Sequence, residues 1–303
     1  MGSFTSVTAP LVDRVTVLRD GHSVGTYPVA QLDRQNVVSL ITGHERRSAE
    51  RSVQRARSIG APLLELRDLS RGREFTNISL VLRRGEIVVL TGLIGAGRTE
   101  LLETVFGARR PSSGKILLRS RAVQFTSPRD AIASGIALMP EDRRGQGLTA
   151  VMPVFANITL ASLGKFVRRL LLQPRQELQH ARRMITDLTI KPPSPFRAAG
   201  LLSGGNQQKL VLAKWLSTAV DIFLLDEPTQ GVDVATKAEI YRLIRSMAAS
   251  GKAVLVVSSD LEEVMEIGDR ILAIRQGRIV AEFRNEALDP ALVIDAITHG
   301  QAA

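Results

Sequence analysis

The chain has 303 residues, 44% of them hydrophobic, which is enough for one or two domains with proper cores and too much for a disordered polypeptide. It contains no cysteine, which excludes disulfides, thiol catalysis and thiolate metal sites and fits a reducing compartment. The net charge of +10 invites a nucleic-acid partner, but the arginines are spread along the chain and only 4% of residues are aromatic, so none is expected; an anionic membrane leaflet or phosphate ligands suit the charge equally.

The N-terminus, MGSFTSVTAP, lacks the basic-then-apolar order of a signal peptide, and no apolar run approaches the ~18 residues of a membrane span. A soluble protein is expected. DRVTVLRDG (13–21) then resembles DRILAIRQG (269–277), and the match continues ungapped through Thr42 and Thr298. Ten of thirty positions are identical, among them Asp13/Asp269, Arg19/Arg275, Gly21/Gly277 and Val37/Val293. Both copies read as strand, glycine turn, strand and apolar-periodic helix. Residues 11–43 therefore read as the tail of an upstream domain homologous to the one that follows. HERRSAERSVQRARSIGAP (44–62) is polar and arginine-rich, an inter-domain linker in which a short exposed helix could form.

A complete domain is expected from residue 63 to about residue 300. Strands are predicted at LLELRDLS (63–70), NISLVLRRGE (77–86) and EIVVLTG (86–92). Helical patterning dominates from about 128 to 216, broken by the PPSP loop at 192–195. Strand DIFLLD (221–226), a helix from about Thr236, strand KAVLVVSS (252–259) and the closing hairpin follow. Strands alternating with helices imply a mostly parallel sheet, with the early strands forming an antiparallel edge.

The chemistry sits in three segments. GLIGAGRTE (92–100) follows a strand, opens a helix and has phosphate-loop spacing: Gly92, four residues, Gly97, a basic residue, Thr99. Gly92, Gly95 and Gly97 let the backbone curl so that amides point at phosphates, and Thr99 offers a hydroxyl to Mg²⁺. Arg98 stands where lysine is usual; its longer, forked side chain keeps anion binding but misplaces charge at the outer phosphate. In DIFLLDEPTQGVDV (221–234), Asp226 at the strand end suits Mg²⁺ and Glu227 an attacking water, although the pair could instead cap the next helix. In LSGGNQQKLVLAKWL (202–216), Ser203 can cap a helix whose Gly204 and Gly205 amides suit a phosphate on another subunit.

Taken together and in this order, these segments resemble a known family. Residues 63–300 resemble the nucleotide-binding domain of ABC transporters, with LSGGNQQK as signature motif. The resemblance implies an α/β P-loop NTPase fold with a mostly parallel core sheet, an antiparallel β-subdomain and a helical subdomain. More narrowly, GLIGAGRTE, MPEDRRGQGL (139–148) and LSGGNQQK look like the second ATP-binding domain of bacterial monosaccharide importers of the ribose, galactose or xylose type. Those chains carry two such domains, and residues 11–43 look like the end of the first.

By that resemblance ATP and Mg²⁺ are the cofactors, held by Gly92, Gly95, Ala96, Gly97, Arg98, Thr99 and Glu100 in the loop, and by Thr99, Asp226 and Glu141 at the metal. Glu227 matches the catalytic glutamate. Glu141 falls where a glutamine usually stands, Ser259 where a histidine meets the γ-phosphate, and Phe75 is a candidate for adenine stacking or for the core. Three departures, at Arg98, Glu141 and Ser259, imply a degenerate site. Ser203, Gly204 and Gly205 would complete a site on a partner, with Asp233 where the domains meet. The implied partners are a second nucleotide-binding domain (a homodimer or a lysine-loop partner), a transmembrane permease facing residues 139–160 and, indirectly, an extracytoplasmic sugar-binding protein. The implied location is the cytoplasmic face of the membrane. The rival readings are a non-transport ABC protein acting on nucleic acid or the ribosome, and a truncated product.

Overall fold

A computed structural model describes residues 13–19, 22–29 and 59–300. Contacts divide the chain into two units, Met1–Ala56 with Asp233–Glu239 and Arg57–Val232 with Ile240–Ala303. In the first unit, β1 (Arg14–Arg19) and β2 (His22–Pro28) form an antiparallel hairpin. In the second, β3 (Pro62–Arg71) and β4 (Phe75–Arg83) pair antiparallel, and β5 (Ile87–Gly92) leads into α1 (Arg98–Val105). β6 (Ser113–Leu118) and β7 (Arg121–Val123) extend the antiparallel sheet in the order β4-β3-β6-β7.

Next come α2 (Pro128–Ala133), β8 (Ile136–Met139), a π-type turn at Arg143–Gly147, α3 (Val154–Thr159) and a small hairpin of β9 (Val167–Arg168) and β10 (Leu171–Leu172). α4 (Pro174–Asp187) and α5 (Gly204–Leu216) follow, then β11 (Ile222–Asp226), α6 (Val234–Ala249), β12 (Ala253–Val257) and α7 (Leu261–Ile267). A last hairpin, β13 (Arg270–Arg275) and β14 (Arg278–Arg284), precedes α8 (Pro290–His299).

The core sheet has the order β14-β13-β5-β12-β11-β8, parallel from β13 to β8 with β14 antiparallel at the edge. IVVLTG, IFLLD and AVLVV are buried along their whole length, as strands covered on both faces must be. A separate cluster of Val154, Ile158, Ala181, Ile185, Leu210 and Ala213 packs α3, α4 and α5 together. One expectation needs correcting: the helical stretch read from Pro128 contains β8, which pairs with β11 inside the core sheet. A four-residue buried run, IALM, has no periodicity that separates strand from helix.

The repeat is visible in three dimensions. The bounds of β1 and β2 fall on the aligned bounds of β13 and β14. Both ladders slip register at the aligned step, between Val17 and Leu18 and between Ala273 and Ile274. Both close with the aligned amide, Val29 N–H to the Asp13 carbonyl (3.0 Å) and Asn285 N–H to the Asp269 carbonyl (3.1 Å). The helix expected in the first copy and most of the 44–62 linker lie outside the described residues. Among the described residues, no helix is long and apolar enough to cross a membrane.

Candidate functional site

The parallel strands β5, β12, β11 and β8 are neighbours in that order, so the loops at their carboxyl ends converge on one edge of the sheet. After β5, the chain turns sharply into α1. Gly97 adopts φ 88°, and a Cβ there would lie 2.2 Å from the Glu74 carbonyl oxygen, so only glycine fits. Gly95 adopts φ 80° with open space on the side a Cβ would enter. Gly92 and Ala96 are buried, and Glu100 is half-buried in the first turn of α1. The first-turn amides of Arg98, Thr99 and Glu100 have no intrahelical acceptors, and the helix dipole adds positive potential. The loop is therefore built to cradle an anion.

Arg98 turns inward. Its Nη1 lies 3.4 Å from Glu227 Oε1, both side chains are buried, and Nη1 has no hydrogen-bond partner. Glu227 itself adopts a left-handed backbone, φ 45°. Asp226, the last residue of β11, is 2% exposed, and its Oδ1 is buried without a partner. Burial pushes its carboxyl up to about 7; the Glu141 and Glu227 charges add to this, while a hydrogen bond from the Thr99 hydroxyl and the Arg98 charge oppose it. An orphaned carboxylate oxygen beside a hydroxyl and two further carboxylates fits a hard divalent cation. Among the described residues no three His, Cys, Asp or Glu side chains are arranged to hold a metal unaided. A cation here would complete its shell with water and ligand oxygens.

Glu141 is exposed and accepts from Gln230 Nε2 (3.2 Å). Ser259 is exposed as well, whereas its neighbour Ser258 points inward and donates to Glu263 (2.6 Å). The Thr229 hydroxyl also donates to Glu263 (3.0 Å), whose carboxyl burial raises to about 7 against both hydrogen bonds. A cleft of about 400 Å³ opens among Thr99, Glu141, Arg143, Arg144, Asp226 and Gln230.

At the start of α5, Ser203 takes the N-cap position but does not cap. Its exposed hydroxyl instead accepts from Asn206 Nδ2 (2.8 Å), a short polar side chain one turn on that competes for the same oxygen. Gly204 is half-buried and Gly205 buried. A Cβ at Gly204 would lie 2.8 Å from an Arg143 guanidinium nitrogen, so that guanidinium rests against the turn. Arg143 also donates to the Gln230 carbonyl (2.9 Å), Arg144 to Gln207 Oε1 (3.3 Å), and Lys214 to the Gly147 carbonyl (2.5 Å). These bonds tie the π-type turn to α5 and to the loop after β11. Asp233 caps α6, accepting from the Thr236 amide (3.0 Å) and hydroxyl (2.7 Å).

Two things escape sequence reasoning. The Arg98–Glu227 pair joins residues far apart in the chain, and no local pattern announces it. The arginines of MPEDRRGQGL carry a usable signal, two adjacent cations just past an acidic pair at a strand end. Of the two readings open for Phe75 the core one holds: it is fully buried in the main cluster, where its ring is worth about 3–5 kcal/mol of packing and cannot stack on a ligand.

A family profile described as ABC transporter matches residues 75–230. The chain is 44% identical over 288 residues to the ribose import ATP-binding protein RbsA 2 of Rubrobacter xylanophilus, covering 95% of this chain and 55% of that protein. It is 46% identical over 271 residues to the arabinose import ATP-binding protein AraG 2 of Burkholderia thailandensis, covering 89% and 51%. The chain thus spans about half the length of the curated relatives it matches. Among solved structures, the dimeric structure of the bacterial ABC transporter cassette MJ0796 aligns with a TM-score of 0.65 at 19% identity, over 75% of this chain and 100% of that one.

Proposed function

The chain belongs to the ABC transporter family, and on that premise we propose that it is the ATP-binding second half of a monosaccharide importer's energising subunit. In this reading it binds ATP with Mg²⁺ at a degenerate site and lends its Ser203–Gly204–Gly205 turn to the ATP site of a second nucleotide-binding domain. The observation that carries the reading is the buried pair, 3.4 Å, between Arg98 of a phosphate loop of otherwise regular build and Glu227 just past the end of β11. A glutamate held by an internal cation is not available to orient an attacking water.

The chain's own residues divide the work as follows. The amides from Gly95 to Glu100 hold the phosphates, with Gly92 and Ala96 closing the turn beneath them. Thr99 and Asp226 hold Mg²⁺, with Glu141 at the margin; the metal supplies charge neutralisation at the outer phosphates. Ser259 offers one hydroxyl where an imidazole would be stronger. Asp233 stands at the domain–domain boundary, and residues 139–160 face the transmembrane permease at the cytoplasmic surface, with a sugar-binding protein reached only through the permease. Residues 1–43 are the tail of a first domain and 44–62 the linker, a reading supported by the matched hairpin bulges. Sugar import is supported by the likeness to ribose and arabinose import proteins.

Calorimetric titration with MgATP and steady-state phosphate release test this together. The expected result is saturable binding with negligible turnover by the isolated chain. Turnover on the order of 1 s⁻¹ or faster, typical of working enzymes and abolished by Glu227→Gln, would overturn the degenerate site.

A further inference from the structure

The β9–β10 hairpin has a composition that the nucleotide site does not use. Its strands pair Val167 with Leu172 and Arg168 with Leu171, and its two-residue turn is Arg169–Leu170. Both turn residues have positive φ, 50° and 67°, a conformation that L-residues adopt at a cost. Leu170 is 96% exposed and Leu171 69%, so the tip presents bare leucine to its surroundings. The base is firmly held: Phe166 is buried against His180 (ring centroids 5.4 Å apart), the Gln173 amide donates to the Phe166 carbonyl (2.7 Å), and Lys165 donates to the Ser217 carbonyl (2.7 Å).

The sequence running through this hairpin carries charge of one sign: residues 165–176 contain Lys165, Arg168, Arg169 and Arg175 and no Asp or Glu. Arg168, Arg169 and Arg175 are exposed, and the first carboxylate after them, Glu177, is buried and accepts from the Thr159 hydroxyl (2.6 Å). Exposed leucines flanked in the chain by exposed, long cationic side chains suit a surface that is apolar beneath and anionic above, because arginine stems lie along apolar material while their heads reach phosphate. The apolar residues form a projecting tip rather than a groove, and a fluid bilayer conforms to a tip without needing a matching pocket.

We propose that the β9–β10 hairpin is a membrane-contact element, sinking Leu170 and Leu171 into the interface of an anionic bilayer while Arg168, Arg169 and Arg175 bind lipid phosphates. The proposal stands independently of the sugar-import reading, and its test reads lipid contact rather than nucleotide chemistry.

The absence of native cysteine allows one label at a chosen place. A Leu170→Cys full-length chain carrying an environment-sensitive fluorophore is mixed with phosphatidylcholine vesicles, or with vesicles of equal parts phosphatidylcholine and phosphatidylglycerol, and partition is read by co-sedimentation. The expected result is a blue shift and co-sedimentation with the anionic vesicles only, weakened by salt. Unlabelled Arg168→Gln/Arg169→Gln should partition about 30-fold more weakly, about fivefold per Lys or Arg near an anionic surface. Leu170→Ser/Leu171→Ser should weaken partition while thermal melting shows the fold intact. No blue shift with either vesicle, equal partition of parent and variants, or a blue shift only with polyglutamate, marking an acidic protein surface as the occupant, would each overturn the proposal.

Discussion

Arg98 and Glu227 face each other with side chains about nine-tenths covered, and the consequences are energetic as well as chemical. A buried ion pair adds little net stability, but removing one member leaves the other charge desolvated and alone. We expect Arg98→Ala to cost about 3 kcal/mol in urea unfolding of the nucleotide-free chain. Adding Glu227→Gln should recover a large part of that loss, because the charge left behind is then neutral. Strictly additive effects of the two substitutions would show that the pair is not coupled. The neighbouring Asp226, with one orphaned buried oxygen, is a different case: its environment disfavours charge until a cation arrives.

Between elements, Glu263 is the joint. It sits on α7 and accepts from Ser258 at the end of β12 and from Thr229 in the loop after β11, so it links two strand ends to a helix just behind the site. Burial raises its carboxyl from 4.5 to about 7, which means the folded protein holds its proton more tightly than the unfolded chain does. The associated stability is complete below about pH 4.5 and is lost as the pH rises to about 7. Glu263→Gln cannot ionise. Relative to the parent, the variant should gain roughly 3 kcal/mol of stability between those two pH values, read from urea midpoints. A parent–variant difference that stays constant across the range would show that the carboxyl titrates normally.

For the whole molecule, the phosphate-loop edge and the signature turn have unequal prospects. The loop holds an arginine paired with Glu227, whereas at the start of α5 Ser203 is exposed and holds Asn206, and Gly204 lies against Arg143 and the Gly231 carbonyl. If the turn serves a partner's nucleotide, Ser203→Ala should leave this chain's own ATP affinity within about twofold. In a mixed assembly it should lower turnover at a lysine-loop partner about tenfold, the equivalent of one charge-assisted hydrogen bond. Equal losses at both sites, measured by titration of this chain and phosphate release from the pair, would argue against sharing between domains.

The sequence by itself determined the parts that depend on local order. Strand, glycine loop and helix around Gly92 to Thr99 were legible because glycine spacing and an apolar run dictate that turn, and the hairpin repeat was legible because its aligned residues specify the same ladder down to the bulge. The family followed from three such segments in series. Tertiary structure alone decided the rest. Whether IALM was strand or helix depended on β11 lying beside it, and whether Phe75 stacked or packed depended on the core closing over it. Above all, Arg98 reads in sequence as a cation for a phosphate, and only the convergence of β5 and β11 on one edge brings it against Glu227, because a charge in a low-dielectric interior turns toward the nearest opposite charge, however distant in the chain.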